Sequence, residues 1–168
     1  MTSPRIIVVM GVSGAGKTTV GELLANSLAW PFFDADDYHP AANIEQMRRG
    51  IPLTDRERAP WLGVLRNLLS GVLARGERAV LAASALRQAY RDAITPPGAT
   101  PGALCFAYLH TSPVTLRHRL ATRTGHFASV ALLDSQLATL EAPREAFWAD
   151  GEATPAQIAN EIRQHYEL

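Results

Sequence analysis

Arg5-Ile6-Ile7-Val8-Val9-Met10 runs directly into Gly11-Val12-Ser13-Gly14-Ala15-Gly16-Lys17-Thr18, and this junction decides how the chain is read. The short apolar, β-branched run predicts a strand buried on both faces. Beyond the glycines, Val20, Leu23, Leu24 and Leu28 recur at helical spacing up to Ala29, ahead of Pro31. Strand, glycine loop and helix are the setting a phosphate-binding loop requires, and all eight positions from Gly11 to Thr18 match the P-loop pattern. The glycines let successive backbone N–H groups turn inward around phosphate oxygens, and the helix N-terminus adds its partial positive charge. Lys17 reaches the β and γ phosphates and Thr18 can ligate Mg²⁺, with Thr19 beside it. Of sixteen basic residues Lys17 is the only lysine; a fork-shaped guanidinium cannot replace a compact ammonium among phosphates.

Outward from the loop, strands and helices alternate. Phe32-Phe33-Asp34 predicts a second strand, and Asn43 to Arg49 a short helix closed by Gly50. Thr54 to Glu57 has capping-box spacing ahead of an amphipathic stripe from Trp61 to Leu73. Ala79 to Ala83 predicts a third strand, Leu86 to Ile94 a helix, and Ala103 to Leu109 a fourth strand. Ser112-Pro113 starts a helix through Thr122, Val130 to Leu140 resumes helical spacing, Ala146 to Ala149 is a weak fifth strand, and Thr154-Pro155 caps a last helix. This alternation predicts a three-layer α/β/α fold, one domain over 1–168 around a mainly five-stranded parallel sheet. A helical segment at about 38–75 and a lid at about 119–135 complete the expected organisation.

Composition narrows the function. The 168 residues carry 16 basic and 16 acidic side chains, so no global field draws the chain to nucleic acid or anionic lipid. The longest aliphatic run is far short of a membrane span and the first residues lack a signal-peptide layout, so a cytoplasmic protein is expected. Cys105, the single cysteine, excludes an internal disulfide and reads as a buried strand thiol. No acidic residue ends the third strand at Ala82-Ala83-Ser84, and no Asn-Lys-x-Asp guanine signature is present, which disfavours motors, helicases and GTPases. A small-molecule kinase is favoured.

Acceptor-side candidates sit at the carboxyl ends of the predicted strands, where such sheets bind ligands. Asp34 and Asp36, two apart in an extended chain, are expected to point the same way. Asp34 is assigned to hydrated Mg²⁺ and Asp36 to the attacking hydroxyl, as general base or orienter. Helix N-capping is the alternative reading of this cluster. Ser84 and Arg87 lie at the end of the third strand, where both could bind the acceptor. Arg119 and Arg123, four apart on one helical face, suggest a closing lid that brings positive charge over the transferring phosphoryl group. Trp61 is read as core first and pocket wall second.

A set of blocks beyond the P-loop resembles the gluconate kinase family: His39-Pro40, Asn43, Met47, Gly50, Pro52-Leu53, Asp55, Arg58 and Pro60-Trp61-Leu62. Further matches are Ser84-Ala85-Leu86, Tyr90-Arg91-Asp92, Gly125-His126-Phe127, Leu132 to Gln136, and Leu140-Glu141-Ala142-Pro143, so the resemblance spans about residues 6–143. Departures are Ala83, Arg87, Gln46 and Ala128. The resemblance implies ATP-dependent, Mg²⁺-assisted phosphorylation of D-gluconate at its 6-hydroxyl, a fold similar to nucleoside monophosphate and shikimate kinases, and a homodimer. A substrate carboxylate asks for a cation, and Arg58 is the best candidate because a guanidinium pairs with it through two parallel hydrogen bonds; pairing with Asp55 is the alternative. His39, His126 and Gln136 are the further substrate-binding candidates. The rival readings are a related kinase of another hydroxy acid, such as shikimate, and a nucleotide-binding regulatory protein without catalysis.

Overall fold

In the computed structural model, which describes residues 3–123 and 130–168, every residue of β1 (Ile6–Met10) is buried. A strand closed on both faces belongs in the middle of a sheet, and β1 lies there. β3 (Ala79–Ala82) and β4 (Leu104–His110) flank it, with β2 (Phe32–Asp34) and β5 (Phe147–Asp150) at the edges, in the order β2-β3-β1-β4-β5. All four pairings are parallel; Ile6 pairs with Ala79 on one side and Leu104 on the other. The expected five-stranded parallel sheet is therefore present.

The alternation of β1 side chains splits the core into two layers. Ile7 and Val9 pack with Val80 and Leu109 against α1 (Lys17–Leu28) and α7 (Pro155–His165), through Leu24, Ile158 and Ile162. Ile6, Val8 and Met10 pack with Leu81 against α3 (Asp55–Ala74) and α4 (Gln88–Ile94), through Leu65, Leu69, Val72 and Ile94. Each fully buried aliphatic side chain contributes about 1.5–3 kcal/mol. The expected capping box at Thr54 and Glu57 starts α3, and Ser112 caps α5 (Pro113–Thr122) by accepting from the Thr115 N–H. α2 (Ala41–Arg48) and α6 (Val130–Thr139) complete the element list of the described residues.

Three local expectations change. After Asp34 the chain does not stay extended: Ala35–Tyr38 is a 3₁₀ turn, because the Asp34 side chain accepts the Asp36 N–H and caps it. α4 begins at Gln88 rather than Leu86, since Ala85 is left-handed, with φ 46°, and Arg87 is extended. Cys105 is half-buried rather than buried. Among the described residues no helix is long and apolar enough to cross a membrane.

Candidate active site

The carboxyl edge of the sheet presents the loop after β1, Asp34 at the end of β2, and Ser84 just beyond β3. Gly14 and Gly16 in the loop have φ of 85° and 95°, a region costly for any residue with a Cβ, and Gly16 in that conformation is the N-cap of α1. The loop can therefore curl so that α1 starts at Lys17 itself. The Lys17 ammonium donates to Val12 O at 3.1 Å. Burial pushes its pKa down, against the opposing pull of the Asp36 and Asp34 carboxylates, while Arg123 adds to the fall. The Thr18 hydroxyl donates to Asp34 Oδ2 at 2.7 Å, whereas Thr19 is exposed.

Two distant segments grip the loop. Arg119 on α5 donates to Gly14 O at 3.2 Å, to Ala15 O at 3.5 Å and to Gly151 O at 2.9 Å. Gln136 on α6 meets Ser13 twice: its Oε1 accepts the Ser13 N–H at 2.7 Å, and its Nε2 donates to Ser13 Oγ at 3.0 Å. Arg123 is the C-cap of α5, and His126 lies outside the described residues.

Beside the loop opens a cavity into which Ser13, Lys17, Asp36, Ser84 and Gln136 all face. Because of the 3₁₀ turn, Asp34 and Asp36 do not act as a parallel pair. Asp34 turns to Thr18, and Asp36 lines the cavity with Lys17. Trp61 fulfils both readings offered for it. It is buried in the layer under α3, yet it lines the cavity, and its Nε1 donates to Ala35 O at 2.7 Å, anchoring the turn that carries Asp36. His39 stacks on Trp61 with ring centroids 4.1 Å apart. Its Nδ1 lies 3.4 Å from the amide nitrogen of Asn43, which can only donate. Desolvation lowers the His39 pKa, with Asp36 opposing and Arg58 reinforcing the shift, so the ring stays neutral near pH 7.

On the far wall Arg58 donates to the Tyr90 hydroxyl at 3.1 Å and lies 3.7 Å from Asp55. Its i, i+3 pairing with Asp55 is therefore present but secondary. Arg87 does not line the cavity; it is more exposed and pairs with Asp55 at 3.4 Å. Asp55 carries two signals in the sequence, its i, i+3 spacing to Arg58 and its place in the blocks shared with gluconate kinases, and Tyr90 carries only the second. Behind this wall Arg91, 3% exposed, donates to Ala85 O at 2.8 Å and to Glu141 O at 3.0 Å. Glu141 in turn donates its N–H to Leu86 O and accepts the Gln88 N–H. This cross-tie holds the left-handed Ala85 and so presents Ser84.

Among the described residues no group of three or more His, Cys, Asp or Glu could hold a metal. Thr18 and Asp34 offer hard oxygen donors at the phosphate loop, which suits Mg²⁺, an ion that keeps its waters and draws its remaining ligands from phosphates.

A family model described as an AAA domain matches residues 6–143. The chain is similar to a probable gluconokinase of Xenopus tropicalis, 47% identical with 82% of this chain and 79% of the relative covered. It is 42% identical to a gluconokinase of Gluconobacter oxydans over 98% of this chain and 92% of the relative. A crystal structure of a gluconokinase from Sinorhizobium meliloti superposes with a TM-score of 0.83 at 41% identity, covering 99% and 94% of the two chains. Shikimate kinase from Aquifex aeolicus, at 18% identity and a TM-score of 0.61 over 96% of each chain, shares the fold alone.

Proposed function

The chain belongs to the gluconokinase family of P-loop kinases, and we propose that it transfers the γ-phosphoryl group of ATP to the 6-hydroxyl of D-gluconate. The observation that carries this reading is the single cavity shared by Lys17, Asp36 and Arg58, which combines phosphoryl, hydroxyl and carboxylate chemistry. Asp36 accepts a hydrogen bond from the attacking hydroxyl and orients it; as the new P–O bond forms and the bond to ADP breaks, the proton passes toward this carboxylate. Lys17, Arg119 and Arg123 offset the charge that builds on the transferring group. Arg58 receives the acceptor's carboxylate, with His39, Ser84, Gln136 and, at the rim, Arg87 assigned to its hydroxyls. Thr18, with Asp34 behind it, would hold Mg²⁺, which would supply positive charge to offset that of the phosphates.

The family resemblance further supports a homodimer, and the use of ATP supports a cytoplasmic site of action. The test of function is ADP release by the purified protein with Mg²⁺-ATP, with and without D-gluconate, its epimers, related sugar acids and shikimate. Release driven strongly by gluconate alone is the expected result. Turnover with another acid keeps the kinase mechanism and discards the substrate, and nucleotide binding without turnover discards catalysis.

A further inference from the structure

We propose that Tyr90 and Asp55 are positioning residues that aim Arg58 at the acid end of the acceptor, and that this pair, beyond the guanidinium itself, makes the enzyme select acids. The inference rests on the reading of Arg58 as the carboxylate-binding group.

The argument begins with what each group can do. A guanidinium only donates, so the 3.1 Å contact makes the Tyr90 oxygen an acceptor from Arg58. The phenol has one proton, and the structure directs it to Asp55 Oδ1. The other carboxylate oxygen, Asp55 Oδ2, receives Arg87. Polarity is thus assigned throughout the chain Arg58 to Tyr90 to Asp55, with Arg87 entering from the other side. Both guanidiniums also lie over the Tyr90 ring, at 5.2 Å and 5.9 Å from its centroid.

Exposure decides which contact holds Arg58. Its direct partner Asp55 has a side chain 66% exposed and stands at 3.7 Å, a geometry that contributes little in water. Tyr90 is 6% exposed, with its ring packed under α3 and α4, so its oxygen is the rigid point. Among the described residues the Arg58 guanidinium makes no other hydrogen bond, which leaves the rest of its fork for a ligand in the cavity it lines. Burial and the bond to Asp55 raise the Tyr90 pKa, so the phenol keeps the proton this arrangement needs. Two guanidiniums against one carboxylate leave a single net positive charge, which matches a monocarboxylate.

Steady-state kinetics of Tyr90→Phe, Asp55→Ala, Arg58→Ala and the Tyr90→Phe/Arg58→Ala double variant test the assignment, each with its melting temperature. Tyr90→Phe keeps the packed ring and is expected to raise the gluconate KM about ten-fold, the loss of one hydrogen bond to a charged group, with kcat and the ATP KM within about two-fold. In the Arg58→Ala background the same change is expected to add nothing, because Tyr90 acts through Arg58. For Asp55→Ala, charge alone predicts a lower KM for an anion, whereas positioning predicts a higher one, by about five-fold. An unchanged KM in Tyr90→Phe, equal effects in both backgrounds, or a lowered KM in Asp55→Ala overturns the proposal. Wild-type protein that turns over no gluconate removes the functional reading, and this inference with it; an active wild type with indifferent variants removes the inference alone.

Discussion

The donor side and the acceptor side of this cleft are built by opposite means. The phosphate loop is eight consecutive residues whose backbone is proposed to do the binding, and Gly14 and Gly16 supply its left-handed turns. The acceptor wall is made of side chains from the turn after β2, from α2 and the loop before α3, from α3, from the start of α4 and from α6, so it is spread from Asp36 to Thr139. A contiguous device carries its phosphate-facing groups in one segment and is general in what it binds, with Arg119 and Gln136 only bracing it from α5 and α6. A dispersed device is selective, because every member depends on distant supports such as Trp61 and Arg91.

Substitution can break that contrast, and the largest effect is expected at the loop. Lys17→Met should lower kcat by at least about a thousand-fold, since it removes charge stabilisation made in the transition state. The same variant should melt higher than wild type without nucleotide. The folded pKa of Lys17 lies below its ordinary value of 10.5, so between those two values the unfolded chain binds more protons and stability rises with pH. Loss of Lys17 abolishes that slope, and thermal melts across alkaline pH check both sign and window. A loop that loses stability with Lys17 would break the idea that donor-side strain serves the ligand.

Arg58→Ala is the acceptor-side counterpart. Its gluconate KM should rise about ten- to a hundred-fold with ATP binding intact, as for a lost charge-assisted pair. An unchanged KM would move the carboxylate elsewhere. Arg91→Ala sharpens the point about supports: it leaves the Ala85, Leu86 and Glu141 carbonyls without their cation and should destabilise the fold by roughly 2–4 kcal/mol, read by urea unfolding. The smallest effect is expected at His39. Its folded pKa is depressed below 6.5 by burial, so as pH falls through 6.5 the unfolded chain takes up protons first and stability declines. Melting temperatures from pH 7 to 5 should show that decline, and His39→Gln should flatten it.

The same contrast explains what could be read from the residues. The strands, the helices and the donor loop follow from periodicity, capping signals and a contiguous motif, all of which are local, whereas the order β2-β3-β1-β4-β5 is set by pairings between distant segments. The spacing of Asp34 and Asp36 gives a parallel pair only in an extended chain, and the Asp34 cap on Asp36 N–H curls it instead. Periodicity starts α4 early because nothing local announces a left-handed alanine, which is held by Arg91 from further along the chain. Tyr90 carries an ordinary helical pattern, and its bond to Arg58 joins two helices, a relation that no window of sequence contains. The resemblance points Gln136 at the acceptor, and the structure also gives it a partner, Ser13, from the other end of the chain.

The central place of β1 has a consequence for synthesis. This strand is made before the other strands of the sheet, yet its register is supplied by Ala79 onward on one side and Leu104 onward on the other. Until β4 emerges, the nascent chain holds the phosphate motif with β1 able to pair on one side alone, and only loops of high sequence separation can complete the sheet. Nucleotide binding and completion of the fold thus become a single late event, and nascent chains ending before His110 should gain no protection from ATP against proteolysis.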